Sequence, residues 1–278
     1  MIDLHTHSAY SDGTQTPLEL MTEAAQVGIT VLGLTDHDTI AGYEDAKAAA
    51  EATGVGLVTG IEISTRFKGR VVHLLGYLFD HTRAIAEHCT RVRKARVERL
   101  RDMVDVMERD GLITWEEVQQ VAGTDATLGR PHIADALLQR GTITHRDEAF
   151  TTYLSPSSPY YRSYWAPTLQ ESIKLIHDAG GVAVWAHPRA AARGGMHDWQ
   201  AIREGIALGI DGLEVDHRDN PVADRAKLAS MVSELGLVRT GSSDYHGSGK
   251  HNQLGEHNTS PHMLERIAHQ ATMEVYRP

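Results

Sequence analysis

The chain begins MIDLHTHSAYSD, with two histidines one residue apart and an aspartate five residues after the second. A β-strand sends alternate side chains to opposite faces. A strand here places Asp3, His5 and His7 on one face and Ile2, Leu4 and Thr6 on the other. The apolar face suits a core. The other presents two imidazoles side by side, which a metal ion needs and a core does not. The same residue types recur in short groups further on: Asp36, His37 and Asp38 in TDHD, Glu62 in GIE, His73 in an apolar run, His187 in AHP, His217 in EVDH, and Asp244 and His246 in SDYH.

Seven segments read as the strands that position these groups: 2–7, 30–35, 55–61, 71–78, 181–186, 210–215 and 236–241. Most are apolar runs bounded by glycine, the pattern of strands buried on both faces in a parallel sheet. Every strand delivers a candidate ligand, mostly at its C-terminal end, where parallel barrels and open α/β sheets build their sites. Helices separate several strands. Thr16-Pro17-Leu18-Glu19 and Thr168-x-x-Glu171 have the spacing of capping boxes, and Gly180 ends the second helix. The expected fold is α/β, either a barrel or an open sheet. Residues 80–165 break the rhythm and read as helices alone, over 83–109, 115–121, 131–140 and 145–152. This is the pattern of a helical subdomain inserted into an α/β domain made of 1–79 and 166–278.

Taken singly, a histidine at a strand end is more often a hydrogen-bonding residue than a ligand, and His81, His145, His197 and His269 fit that reading. Asp38 reads as a turn or cap residue, and Asp12, before Gly13, reads equally as a turn residue or a ligand. The joint pattern favours a metal: His-x-His on the first strand and Asp-x-His on the last converge only if the sheet closes.

The net charge of −10 argues against a broad basic surface for long duplex nucleic acid, although it leaves room for a small anionic substrate. No apolar run approaches a membrane span, the N-terminus lacks a signal-peptide pattern, and the cytoplasm is the expected compartment. Cys89 is the only cysteine, which excludes an intrachain disulfide and a thiolate metal cluster. It lies in an expected helix without an arginine-rich loop, so a cysteine-nucleophile phosphatase is not supported. The sequence also lacks the Gly-rich Lys-Ser/Thr loop of an NTPase.

The motifs DLHTHSAYSDG, TDHDT, GIEIS, HLLGY, AHP and SDYHG resemble those of the PHP (polymerase and histidinol phosphatase) superfamily of metal-dependent phosphoesterases, over residues 1 to about 257. The resemblance implies a distorted (β/α)7 barrel and two or three divalent ions: manganese, iron or zinc. By motif, one ion takes His5, His7, Glu62 and Asp244, and a second takes Asp12, His37 and His246. A third shares Glu62 and adds His73 and His187. Many relatives have histidine where this chain has Asp12, and an oxygen donor there shifts preference from zinc towards manganese or iron. Catalysis then falls to Asp12, His37 and Glu62 through the metals, with His217 contacting substrate or leaving-group oxygen.

LGRPHIA and the helical insertion resemble the nucleotide-processing branch, which includes a nucleoside 3′,5′-bisphosphate phosphatase and a 5′-to-3′ exoribonuclease of short RNA. The expected reaction is hydrolysis of a phosphate monoester of a nucleotide by a metal-activated water, whose pKa can fall near ~7. Alternatives are short-RNA exonuclease activity, a small-metabolite phosphatase of the histidinol-phosphate type, and a non-catalytic binding module. Within the insertion, Ile85, Cys89, Val92, Leu100, Met103 and Met107 form the apolar stripe of helix 83–109, and Arg96 interrupts it. Arg96 reads either as a snorkelling side chain or as a substrate contact, with Arg93 one turn back. Arg130 and His132 flank Pro131 at a helix start, where N–H groups and the helix dipole attract anions.

Overall fold

A computed structural model describes residues 1–122, 128–191 and 196–278. The chain divides into two compact units, Met1–Glu87 with Pro167–Pro278, and His88–Ala166.

The first unit is a seven-stranded sheet in sequential order: β1 (Ile2–Thr6), β2 (Val31–Leu34), β3 (Gly56–Phe67), β4 (Arg70–Tyr77), β5 (Val182–Trp185), β6 (Gly212–Asp216) and β7 (Val238–Gly241). A parallel bridge between Thr6 and Tyr245, with His7 N–H donating to Tyr245 O at 2.9 Å, brings the last strand back to the first. The sheet is therefore a nearly closed, distorted barrel. Helices α1 (Pro17–Gln26) and α2 (Tyr43–Thr53) follow β1 and β2. In α1 the Thr16 hydroxyl accepts from Glu19 N–H while Glu19 accepts from Thr16 N–H, the box its sequence encodes, an arrangement that contributes about 1 kcal/mol.

The sheet departs from the all-parallel expectation at one strand. β4 pairs antiparallel with both β3 and β5. The cause is local. Lys68 and Gly69, both at positive φ (48° and 78°), form a two-residue turn between β3 and β4, and a connection this short permits only an antiparallel partner. β3 also runs on to Phe67, so Glu62 lies within the strand rather than at its end. β2 stops at Leu34, opposite Thr59, and the chain beyond it bridges β3 through His37 and Glu62. Glu62 thereby stands level with the loop after β2. Below this level the barrel is packed with Ile2, Leu4, Val58, Leu75, Val184 and Val238.

The second unit is helical. It holds most of α3 (Arg83–Arg109), then α4 (Trp115–Ala122), α5 (Arg130–Gln139) and α6 (Arg146–Thr152). Its core is built on Leu100, Met103, Met107, Val118, Ile133, Leu137 and Leu154. Gly111 and Gly141, at φ 72° and 79°, follow α3 and α5 in the left-handed conformation that glycine adopts without strain. Among the described residues, no helix is long and apolar enough to cross a membrane.

Candidate metal centre

β1 and the bridge to β7 bring four donor atoms together. His5 Nε2 lies 3.1 Å from His7 Nε2, 3.2 Å from Glu62 Oε2 and 3.3 Å from Asp244 Oδ1. His7 Nε2 lies 3.1 Å from Glu62 Oε2 and 3.2 Å from Asp244 Oδ1. These five distances all lie between 3.1 and 3.3 Å, close enough for one divalent ion to be shared by nitrogen and oxygen donors. All four side chains are buried.

A second group holds His7, Asp12, His37 and His246. Asp12 Oδ1 is 3.2 Å from His246 Nε2. The loop carrying Asp12 is tied to Asp36, which accepts from Ser8 N–H at 2.8 Å, Ser8 Oγ at 2.6 Å and Ser11 Oγ at 2.5 Å. Asp36 is thus a buried organiser of this loop. Asp38, at φ 51°, accepts from Ser64 N–H at 3.0 Å, a backbone-fixing role.

Around Glu62, His37 stands beside the expected His73 and His187. Glu62 Oε1 is 2.6 Å from His73 Nδ1 and 3.4 Å from His187 Nε2, while His37 Nδ1 is 3.3 Å from Glu62 Oε2. The compact trio is His37, Glu62 and His73, so His37 stands between the second and third groups.

The electrostatics suit a cation. Against the penalty of its burial, Glu62 is held well below the usual carboxylate range by the imidazoles packed around it. Despite its own burial, His5 is raised well above its ordinary value by Glu62, Glu214 and Asp244, so positive charge is drawn to the centre of the cluster. Burial pushes His246 down to about 4 and His37 well below its ordinary value, leaving neutral imidazoles with a lone pair to give. Asp12 Oδ1, Glu62 Oε2, His37 Nδ1 and His246 Nε2 are buried and make no hydrogen bond among the described residues. Such atoms are costly unless something else satisfies them, and a divalent ion does so. The nitrogen and oxygen donor set fits zinc, manganese or iron.

His217 differs in kind. Its Nδ1 accepts from Asp219 N–H at 3.0 Å, so a neutral ring carries its proton on Nε2. That Nε2–H is fully buried, makes no hydrogen bond among the described residues, and lies 3.8 Å from Asp244 Oδ2. With Asp219 and Asp244, His217 also forms a group whose donor atoms could hold an ion. Burial lowers its pKa and keeps it neutral.

Several residues that sequence reasoning did not single out support this cluster. Lys250 Nζ is 2.8 Å from Asp244 Oδ2. Glu214, fully buried on β6, accepts from His5 Nδ1–H at 3.0 Å. The sequence EVD gave a hint, since an acid at an inward position of a buried strand needs a partner.

In the helical unit, Arg96 is buried and its Nε donates to Leu128 O at 3.3 Å. Arg99, also buried, donates to Arg162 O at 2.8 Å and lies over the rings of Tyr161 and Tyr164, 5.1 and 4.9 Å from their centroids. Burial, with Arg130 and Arg96 nearby, lowers Arg99 to about 10. Arg130 donates to Leu154 O at 2.9 Å. His132 Nδ1 accepts from Gly129 N–H at 3.0 Å and so closes the start of α5 in the place of a capping glutamate. Arg93 is half-buried on α3. Three cationic side chains thus crowd together, with Arg99 the member that the apolar pattern of α3 did not reveal.

Residues 3–140 match the PHP domain. The chain is 36% identical over 247 residues, 88% of its length and 89% of the relative's, to a 5′-3′ exoribonuclease of Haemophilus influenzae. It is 31% identical over 280 residues, all of its length and 98% of the relative's, to a 3′,5′-nucleoside bisphosphate phosphatase of Chromobacterium violaceum. A solved structure from Bifidobacterium adolescentis, described as a metal-dependent phosphoesterase, superposes with a TM-score of 0.93 at 36% identity, covering 98% of this chain and 96% of that one. The chain belongs to the PHP family of metal-dependent phosphoesterases, hydrolases of phosphoric ester bonds.

Proposed function

We propose that this chain hydrolyses a phosphate monoester on a nucleotide that carries a second phosphate, such as a nucleoside 3′,5′-bisphosphate. The observation that carries the phosphatase chemistry is the compact buried set of His5, His7, Glu62 and Asp244, with Glu62 turning its other oxygen to His73 and His187. Full-length similarity to a 3′,5′-nucleoside bisphosphate phosphatase supports the substrate.

His5, His7, Glu62 and Asp244 would hold one ion, Asp12, His37 and His246 a second, and Glu62, His73 and His187 a third. Bound divalent ions would supply a nucleophilic water at neutral pH and neutralise the oxygens of the transferred phosphoryl group. The chain's own contribution is position. Glu62 ties the two halves of the centre, Asp12 contributes an oxygen donor that favours manganese or iron, and His217 donates its Nε2–H to a phosphate or leaving-group oxygen. Within the helical unit, Arg96, Arg99 and Arg130, with His132 at the start of α5, form a cationic group whose guanidinium geometry suits a phosphate. Arg93 is a further candidate on the same helix.

A second reading is 5′-to-3′ exonuclease action on short RNA, favoured by the 36% identity to an exoribonuclease. An internucleotide phosphate could occupy the same arginine group. Rates on a nucleoside 3′,5′-bisphosphate, a dinucleotide with a 5′-phosphate, histidinol phosphate and an aryl phosphate, all with added Mn²⁺, test the proposal. Preference for the bisphosphate supports it, preference for the dinucleotide supports the exonuclease, and no hydrolysis of any rejects both.

A further inference from the structure

Glu214 sits behind the ligands rather than among them. It is fully buried at the centre of β6, and its two oxygens are spent on two different strands. Oε1 accepts from the ring Nδ1–H of His5 on β1 at 3.0 Å. Oε2 accepts from the backbone N–H of His187, just past β5, at 2.9 Å. An ionised carboxylate only accepts, so the first contact fixes the proton of His5 on Nδ1 and leaves the Nε2 lone pair pointing at His7, Glu62 and Asp244. The second contact holds a residue in strained backbone. His187 has φ 31°, a region that non-glycine residues occupy only where their surroundings enforce it. The loop after β6 reinforces the arrangement: Asn220 Nδ2 donates to Glu214 O at 2.8 Å, and Asn220 Oδ1 accepts from Arg189 N–H at 2.9 Å.

We infer that Glu214 is a positioning residue for two metal ligands at once, setting the tautomer of His5 and the backbone of His187 from a single carboxylate. The inference rests on the proposal that His5 and His187 hold metal. It assigns no metal contact to Glu214 itself, because both oxygens are already engaged. A histidine ligand whose second nitrogen is held by a carboxylate is oriented and made more basic, and losing such a partner typically weakens metal binding about 10- to 100-fold.

Glu214→Gln tests this with little change of shape. An amide has one accepting oxygen and one donating NH₂, so it can accept from His5 or from His187 but never from both. The other contact becomes donor against donor. Titration of the metal-free whole protein with Zn²⁺ against a competing chelator is expected to show about 10- to 100-fold weaker binding at the sites that use His5 or His187. The site of Asp12, His37 and His246 is expected to keep its affinity, a selectivity that general loosening of the barrel would not produce. Parent-like affinity at every site in a folded Glu214→Gln protein overturns the inference, as does equal weakening at all of them. A parent protein that binds no Zn²⁺ overturns the metal-centre proposal as well, so the two failures are distinguishable. A second measurement stands if the variant does not fold. In the unaltered, zinc-loaded protein with ¹⁵N-labelled histidines, the ring signal lost in His5→Gln must report a proton on Nδ1, and a proton on Nε2 would overturn the inference.

Discussion

Glu62 and His73 meet diagonally across the β3–β4 hairpin, with Oε1 2.6 Å from Nδ1, while the other oxygen of Glu62 stands 3.2 Å from Nε2 of His5 on β1. One carboxylate therefore faces two groups of imidazoles on different strands. Glu62→Gln keeps the volume but removes the charge that holds both groups. The expected result is a folded protein with reduced metal content and activity lowered at least ~100-fold, more than the loss of an indirect partner causes. Metal analysis and a phosphatase assay check it, and full activity with full metal content would sink the bridging role.

Asp12 puts an oxygen donor in the second group beside His7, His37 and His246. Its Oδ1 faces His246 Nε2 at 3.2 Å, while the loop's turn is closed by Ser8 O accepting from the N–H groups of Ser11 and Gly13. The turn does not depend on the Asp12 side chain. Asp12→Ala is expected to lose metal stoichiometry, and Asp12→His to recover it with preference moved towards zinc. If both variants match the parent in stoichiometry and preference, Asp12 is no ligand.

His217 gives a test that separates substrate contact from metal binding. Its proton sits on Nε2 because Nδ1 already accepts from Asp219 N–H. His217→Asn should lower kcat about 10- to 1000-fold, the range for losing one donor at a reacting oxygen, with metal content unchanged. Loss of metal in this variant would instead make His217 a ligand.

How much of this was legible in the sequence depended on the kind of residue. Ligand-type residues announced themselves because histidine and acid in short motifs at strand ends have no use in an apolar core. Asp36 and Glu214 were harder. Each acts through hydrogen bonds to residues far away in sequence: Asp36 to Ser8 and Ser11 across the β1–β2 pair, and Glu214 to His5 across 209 positions, which the closing of the barrel brings together. The direction of β4 was written in the Lys68-Gly69 turn, but its apolar run looked like every other buried strand. Arg99 stayed hidden because its neighbour Arg96 drew attention as the break in the apolar stripe, although both are buried.

The helical unit offers the last test. Arg99 lies against Tyr161 and Tyr164, and burial first, then the nearby Arg130 and Arg96, lower its pKa, so the three share a region of positive charge. Like charges crowded beneath the surface repel one another, and an anion relieves the repulsion. If that anion is the second phosphate of the substrate, Arg130→Ala removes part of its binding without touching the metal ligands. A charge-assisted contact of this kind contributes about 1.5–3 kcal/mol, which corresponds to about a 10- to 100-fold rise in KM for a nucleoside 3′,5′-bisphosphate. An aryl phosphate has no second phosphate to bind, so its KM and kcat should stay at the parent's values. Equal losses on both substrates, or none on either, would show that the helical unit does not read the second phosphate.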